Sequence, residues 1–105
     1  MNKRTQTALL ESIEKWRLVE RGEMPDVGPD NCSLCMEFLI DGCRGCPVME
    51  KTGSSCCMDT PHERWCAAQP NDRTWWEGEL VADTPELVRL ARAEHRFLES
   101  LLPRT

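Results

Sequence analysis

The sequence lacks several features that would assign it to a common functional class. It contains no run of about 18 apolar residues, so we expect no membrane-spanning helix. The amino-terminal stretch M-N-K-R-T-Q-T-A-L-L-E-S-I-E-K-W carries charge throughout and has no apolar core, so we expect no secretory signal peptide and a cytoplasmic location. The phosphate-binding loops G-x-x-x-x-G-K-[S/T] and G-x-G-x-x-G are absent, and so is the metalloprotease motif H-E-x-x-H. These absences favour a protein that is not an enzyme.

Positive charge is also in deficit. The chain of 105 residues carries a formal net charge of −5, which becomes roughly −7 if four cysteines bind zinc as thiolates. This balance disfavours binding to a nucleic-acid backbone, although a small zinc-dependent nucleic-acid-binding or regulatory factor stays open as an alternative. Apolar residues make up 40% and charged residues 30% of the chain, so we expect one domain with a small core.

Cysteine is what the sequence has in abundance. Seven are present, and four of them form two C-x-x-C hooks that are separated by a short spacer. In a chain without an export signal, such cysteines indicate reduced thiols and metal ligands, since disulfides belong to oxidising compartments. Zinc prefers four such ligands in a tetrahedron. The spacing therefore predicts a structural Zn²⁺ ion bound by Cys32, Cys35, Cys43 and Cys46.

The ligand set is open at one position, because the spacer between the hooks is shorter than in many zinc ribbons. Cys57 is the alternative ligand in place of Cys43, while adjacency argues against Cys56 and Cys57 both reaching one ion. An iron–sulfur cluster is a second reading, since Cys46 precedes a proline as in ferredoxins, but the ferredoxin run C-x-x-C-x-x-C is missing. A redox-active thiol pair is a third reading.

Two further residues could be taken for ligands. We expect Cys66 to pack in the core as a small apolar side chain. We expect His62 to lie at the surface or in a helix-capping region.

The cysteine segment also resembles a group of known proteins. The pattern C-S-L-C, then C-R-G-C-P, then T-G-S-S-C-C-M-D-T-P is similar to small cysteine-rich proteins of bacteriophages and prophages, most of them uncharacterised. The resemblance covers roughly residues 32–65, with a vaguer likeness in the final F-L-E-S-L-L. In that pattern a cysteine precedes Thr-Pro by three positions, here Cys57, and an aromatic residue often follows, where this chain has His62. The resemblance implies a metal-binding fold and a phage-related setting, and it implies no catalytic residue.

Apolar periodicity and capping residues predict the helices. Thr60 and Thr84 each precede a proline that suits the first helical position, and Glu63 would complete a capping box with Thr60. In the last helix Glu94 interrupts the apolar stripe. Helices are predicted over 5–21, 60–69, 72–82 and 84–102. The fold class is thus mainly α: a small single domain in which terminal helices pack around an irregular, cysteine-rich zinc-knuckle module at residues 32–57.

An adjacent pair of tryptophans suggests how the protein acts. Trp75 and Trp76 cannot both face one narrow core stripe, so we expect one of them at the surface near Arg73. Exposed tryptophan beside arginine is typical of protein-binding hot spots. The sequence therefore predicts a non-enzymatic, zinc-binding accessory protein of the phage type that acts through protein–protein contact, either with another protein or as a homo-oligomer.

Overall fold

Five α-helices make up most of the described chain. The computed structural model describes residues 1–54, 57–70, 73 and 79–103, and the backbone alone at 29 and 30. The helices are α1 (Lys3–Glu20), α2 (Ser33–Phe38), α3 (Pro47–Thr52), α4 (Pro61–Ala68) and α5 (Pro85–Glu99), and two 3-10 turns, Gly28–Asn31 and Leu39–Asp41, flank α2. These ranges contain no strand, and none of their helices has the length and apolar character that crossing a membrane requires. The prediction of a small, mainly α domain is confirmed.

Helix α1 begins at a side-chain cap and buries one face. Asn2 accepts a hydrogen bond from the backbone N–H of Thr5 at 2.8 Å, which satisfies one of the free donors of the first turn. The buried side chains recur at intervals of three and four residues, as one face of a helix requires. They are Ala8, Leu9, Ser12, Ile13, Lys15, Trp16 and Val19.

Helix α5 is capped as the sequence predicts. The hydroxyl of Thr84 accepts a hydrogen bond from the backbone N–H of Leu87 at 3.2 Å, and Pro85 occupies the first turn. The buried positions follow one stripe: Leu87, Ala91, Glu94 and Leu98. Glu94 therefore lies inside, where the pattern would place an apolar residue.

Helices α1 and α5 form the most extensive contact between elements in the described chain. Ion pairs at the rim connect Arg17 with Glu99 at 3.0 Å and Arg92 with Glu20 at 2.9 Å, so the two helices run antiparallel. His95 lies between the same carboxylates, 2.6 Å from Glu20 and 3.0 Å from Glu99. Burial raises the pKa of Glu20, but its hydrogen bonds with Arg92 and His95 outweigh this effect and lower it.

Two tryptophans occupy the centre of the molecule. Trp65 of α4 is fully buried, and its ring meets the Trp16 ring of α1 edge to face at 5.3 Å between centroids. The cysteine segment packs beside them, with Leu34 of α2 and Val48 of α3 in the same apolar cluster. The apolar run that begins at Met36 is helical: α2 ends at Phe38 and a 3-10 turn follows.

Two local predictions are wrong. The side chain of Thr60 does not cap α4, because its hydroxyl donates to the carbonyl of Cys57 at 2.6 Å. Glu63 reaches back to the N–H of Asp59, one residue earlier than a capping box requires. The predicted helix over 72–82 is also wrong at its end, since Leu80 exchanges both backbone hydrogen bonds with Asp26 in an antiparallel bridge. Most of that predicted helix lies outside the described residues.

The cap at Thr84 gives a direct test of this fold. We expect Thr84→Ala to lower the free energy of unfolding by about 1 kcal/mol, because the N–H of Leu87 loses its partner. Thr84→Ser keeps the hydroxyl and should leave stability nearly unchanged. Urea unfolding followed by circular dichroism measures both. Equal stability of the alanine and serine variants would contradict the capping role.

Candidate metal centre

Five cysteines line one partly open cavity of about 230 Å³. They come from three separate parts of the chain: the first hook, the second hook and the loop before α4. The cavity wall is otherwise mostly apolar, with charged groups from Lys15, Asp26, His62 and Glu94. The cysteines are Cys32, Cys35, Cys43, Cys46 and Cys57, so all four predicted ligands and the alternative ligand face the same space.

The first hook lies at the start of helix α2. Cys32 is its N-cap residue, and its sulfur accepts a hydrogen bond from the backbone N–H of Cys35 at 3.3 Å. The hydrogen bond with the Cys35 thiol lowers the pKa of Cys32 to about 6, whereas the pKa of Cys35 is raised by the same bond and by burial. A thiolate at Cys32 is thus favoured near neutral pH, and a thiolate is the form that binds metals.

The second hook depends on an unusual backbone. Gly42, Cys43 and Gly45 all have positive φ, at 66°, 68° and 83°, and only glycine adopts this conformation without strain. A Cβ atom at Gly45 would lie 3.4 Å from the Phe38 ring, so the ring also packs closely against the hook. Cys46 occupies the N-cap position of α3 without a capping hydrogen bond from its side chain, and it is buried. Burial raises the pKa of Cys46, while the N–H groups of Val48 and Met49 oppose that shift.

Cys57, like Cys43, has a left-handed backbone conformation although it is not a glycine; its φ is 58°. Its carbonyl accepts the hydroxyl of Thr60, which fixes the loop before α4. Burial, and then the nearby charge of Glu94, raise the pKa of the Cys57 thiol. Strained conformations of this kind persist only where the surroundings hold them, and they concentrate at functional sites.

The thiols are more widely spaced than a single bound zinc ion requires. Four sulfurs at about 2.3 Å from zinc lie about 3.8 Å apart. Among the described residues, no three of these cysteines bring their sulfurs within 4.8 Å of one another. The donors nevertheless fit zinc in kind and number, since thiolates are its preferred structural ligands. Because all five thiols line the cavity, the predicted set with Cys43 and the alternative with Cys57 both stay predictions.

One group in the described chain does have the close spacing of a metal site: Asp26, His62 and Cys66. The carboxylate of Asp26 is completely buried and accepts four hydrogen bonds. Its donors are Lys15 Nζ at 2.8 Å and Gly28 N, His62 Nε2 and Trp65 Nε1 at 3.0 Å each. With its oxygens fully engaged, Asp26 acts as the acceptor of a buried polar network.

The charges in this network stabilise each other. Burial raises the pKa of Asp26, but the hydrogen bond from His62 and the charge of Lys15 outweigh it and hold the pKa below its usual range. Burial lowers the pKa of His62, but the hydrogen bond with Asp26 raises it to about 10. His62 also meets the Trp16 ring edge to face at 5.5 Å. The prediction of His62 at the surface or in a helix cap is therefore wrong, because its ring turns inward to a carboxylate that is distant in sequence.

The position of the Cys66 thiol argues against a catalytic Cys–His pair. Its sulfur is 3.9 Å from Nδ1 and 3.8 Å from Nε2 of His62. A sulfur that is equally far from both ring nitrogens does not lie along the N–H or lone-pair direction of either one, so neither nitrogen forms a well-aligned hydrogen bond with it. Cys66 packs against the core cluster as a partly buried side chain, in keeping with the sequence expectation.

Glu94 is the residue of the cavity that sequence reasoning did not recognise as part of a site. Its side chain is 4% exposed, and its Oε1 atom has no hydrogen-bond partner. Burial raises the pKa of Glu94 to about 7. The available signal was its place in the apolar stripe of α5, where a carboxylate is costly without a partner.

The predicted protein-binding residues are only partly described. Trp75 and Trp76 lie outside the described residues, so their exposure stays a prediction. Arg73 is half-buried and pairs with Asp83 at 3.2 Å. No family model, curated protein or solved structure matches the chain, so the candidate site is defined by its geometry and chemistry alone.

The Asp26–His62 pair predicts how stability depends on pH. The pKa of His62 rises from 6.5 to about 10 on folding, so its contribution is complete below pH 6.5 and is lost as pH rises towards 10. We expect the difference in unfolding free energy between wild type and His62→Gln to shrink over that range. Urea unfolding at constant metal saturation measures it. A difference that stays constant from pH 6 to pH 10 would contradict the charged pair.

Proposed function

We propose that this is a small, non-enzymatic, metal-binding protein in which a structural zinc ion organises the cysteine segment. The observation that carries the proposal is that five thiols line one cavity. A chain of this size buries a limited core, so a metal cross-link between segments contributes directly to folding. Reduced thiols are required for binding, which favours the cytoplasm as its compartment.

The contacts of the thiols support three of the four ligands. The sulfur of Cys32 accepts a hydrogen bond from the backbone N–H of Cys35, and the Cys35 thiol is hydrogen-bonded to the same sulfur. Backbone N–H groups at the start of α3 orient the thiol of Cys46. Backbone N–H groups that point at sulfur stabilise thiolates and orient them as outer-shell partners do in known sites. The fourth position belongs to Cys43 in the primary set and to Cys57 in the alternative.

A structural role follows better than a catalytic one from the number of donors. A catalytic zinc ion keeps one coordination position open for water or substrate. Here the cavity offers five thiols, which is more than a tetrahedral ion can use. A closed, all-protein coordination sphere is thus the more natural outcome.

An iron–sulfur cluster is the second candidate for the cavity. The cavity of about 230 Å³ and the wide spacing of the sulfurs are both larger than one ion needs. Such clusters are held by four cysteine thiolates. The visible absorbance of protein purified with and without oxygen would distinguish a cluster from zinc, since an iron–sulfur protein is brown and a zinc protein is colourless.

Exposed apolar side chains on the cysteine segment support action through protein contact. Met36 is 68% and Ile40 91% exposed, and Leu39 between them is 41% exposed. We propose that this surface, Met36, Leu39 and Ile40, binds a protein partner with an apolar contact area and a basic rim, because Asp41 borders it and the chain is acidic. The resemblance to phage proteins adds a phage-related setting to this proposal.

Metal analysis tests the proposed centre. We expect purified protein to carry about one zinc ion per chain and to lose structure when a strong chelator removes it. Serine at Cys32, Cys35 or Cys46 should abolish binding, whereas Cys66→Ser should retain the metal and serves as the matched control. Atomic emission and circular dichroism measure the two properties. A metal-free protein with unchanged melting temperature would rule out the structural role.

The fourth ligand is identified by two further variants. If Cys43→Ser loses the metal and Cys57→Ser keeps it, the primary set is correct, and the reverse result supports the alternative. Retention of the metal by both variants would place the fourth ligand outside the thiols.

The protein-binding role is tested on the exposed surface. We expect the double variant Met36→Ala, Ile40→Ala to keep its metal content and melting temperature while it weakens association about tenfold or more. Leu10→Ala, another exposed apolar residue, is the control. Gel filtration reports self-association, and binding assays with purified partners report the rest. Alanine at Trp75 or Trp76 tests the sequence-based hot spot in the same way. Unchanged association in all of these variants would contradict the proposal.

A further inference from the structure

Glu94 presents a buried carboxylate that no group of the described chain satisfies. It lies on the buried stripe of α5 between Ala91 and Leu98, where the pattern predicts an apolar residue. Its Oε1 atom is removed from solvent and has no hydrogen-bond partner. Buried polar atoms are almost always paired in folded proteins, and an exception indicates strain, a functional role, or a bound water or ion.

The charged groups around Glu94 are already committed elsewhere. Lys15 and His62, the two cations near it, both bond to Asp26. The remaining titratable neighbours are Cys32 and Asp26, and Cys57 also senses the charge of Glu94. Because Lys15 and His62 are engaged with Asp26, a cation bound in the cavity would supply the positive partner that the carboxylate lacks.

We propose that Glu94 is an oxygen ligand of the metal ion and occupies the fourth position beside the thiolates of Cys32, Cys35 and Cys46. This inference rests on the proposed metal-binding function and changes its ligand set. Carboxylate oxygen is a regular zinc ligand at about 2.0–2.2 Å. Coordination supplies the positive partner that the buried carboxylate lacks. Cys43 and Cys57 then surround the centre without binding it.

Cobalt substitution tests the ligand set by spectroscopy. Co²⁺ replaces zinc in such sites, and the intensity of its sulfur-to-cobalt charge-transfer band increases with the number of thiolate ligands. We expect an intensity that corresponds to three thiolates in the wild type. We expect Glu94→Gln to shift the ligand-field bands and to lower the affinity for Co²⁺ and Zn²⁺ about tenfold or more, since losing even an outer-shell partner costs about that much.

Matched variants separate ligation from a general effect of burial. Glu94→Leu removes the unpaired carboxylate without a polar replacement, so it keeps the test decisive if Glu94→Gln folds poorly. Gln69→Leu is the control, because Gln69 is also buried with unpartnered side-chain atoms but does not line the cavity. Gln69→Leu should leave the cobalt spectrum and the affinity unchanged.

The outcomes distinguish this inference from the proposed function. A wild-type spectrum with four thiolates, or wild-type spectrum and affinity in Glu94→Leu, would overturn Glu94 as a ligand and leave the metal centre standing. Absence of any charge-transfer band in the wild type would overturn both. Loss of affinity in the two Glu94 variants, with retention in Gln69→Leu, Cys43→Ser and Cys57→Ser, is the result we expect.

Discussion

The buried carboxylate of Asp26 connects parts of the chain that are far apart in sequence. Its four hydrogen bonds come from α1, from the loop after it and from two positions of α4, and its backbone also pairs with Leu80. A buried charge is tolerated only when its surroundings satisfy it completely, so this one interaction fixes the distance and rotation of α4 against α1. Removing Lys15 or His62 would leave the buried carboxylate with one positive partner fewer.

The thiol cavity depends on that arrangement. Lys15 and His62, which bind Asp26, also form part of the cavity wall. The Asp26 network and the proposed metal centre are therefore neighbours that differ in one respect. The hydrogen bonds of the Asp26 network are complete without an ion, whereas the thiols of the cavity are potential ligands for one. A small domain with 40% apolar residues gains from both, because each links segments that a modest core would hold weakly.

The sequence was informative wherever a feature is local. The cap at Thr84 and the grouping of cysteines by hook spacing follow from residues within a few positions of each other. Thr60 has the same local signal as Thr84, yet its hydroxyl bonds to the preceding loop. The roles of Asp26 and His62 arise from contact between residues far apart in the chain, which no periodicity encodes. In the sequence, Glu94 is recognisable only as a polar residue in the apolar stripe of α5. Its position beside the thiols becomes apparent only from the cavity in the folded structure.

The placement of the cavity along the chain has a consequence for assembly during synthesis. All five thiols lie between residues 32 and 57, whereas Glu94 and Leu98 close the cavity from the last helix. A ribosome delivers the chain from its amino terminus at about 5–20 residues per second. The thiols therefore emerge seconds before α5 emerges, while the space between them is still open to solvent. The final helix then packs over the cavity, so an ion that the thiols bind early would be covered by α5 and would not have to enter a folded protein.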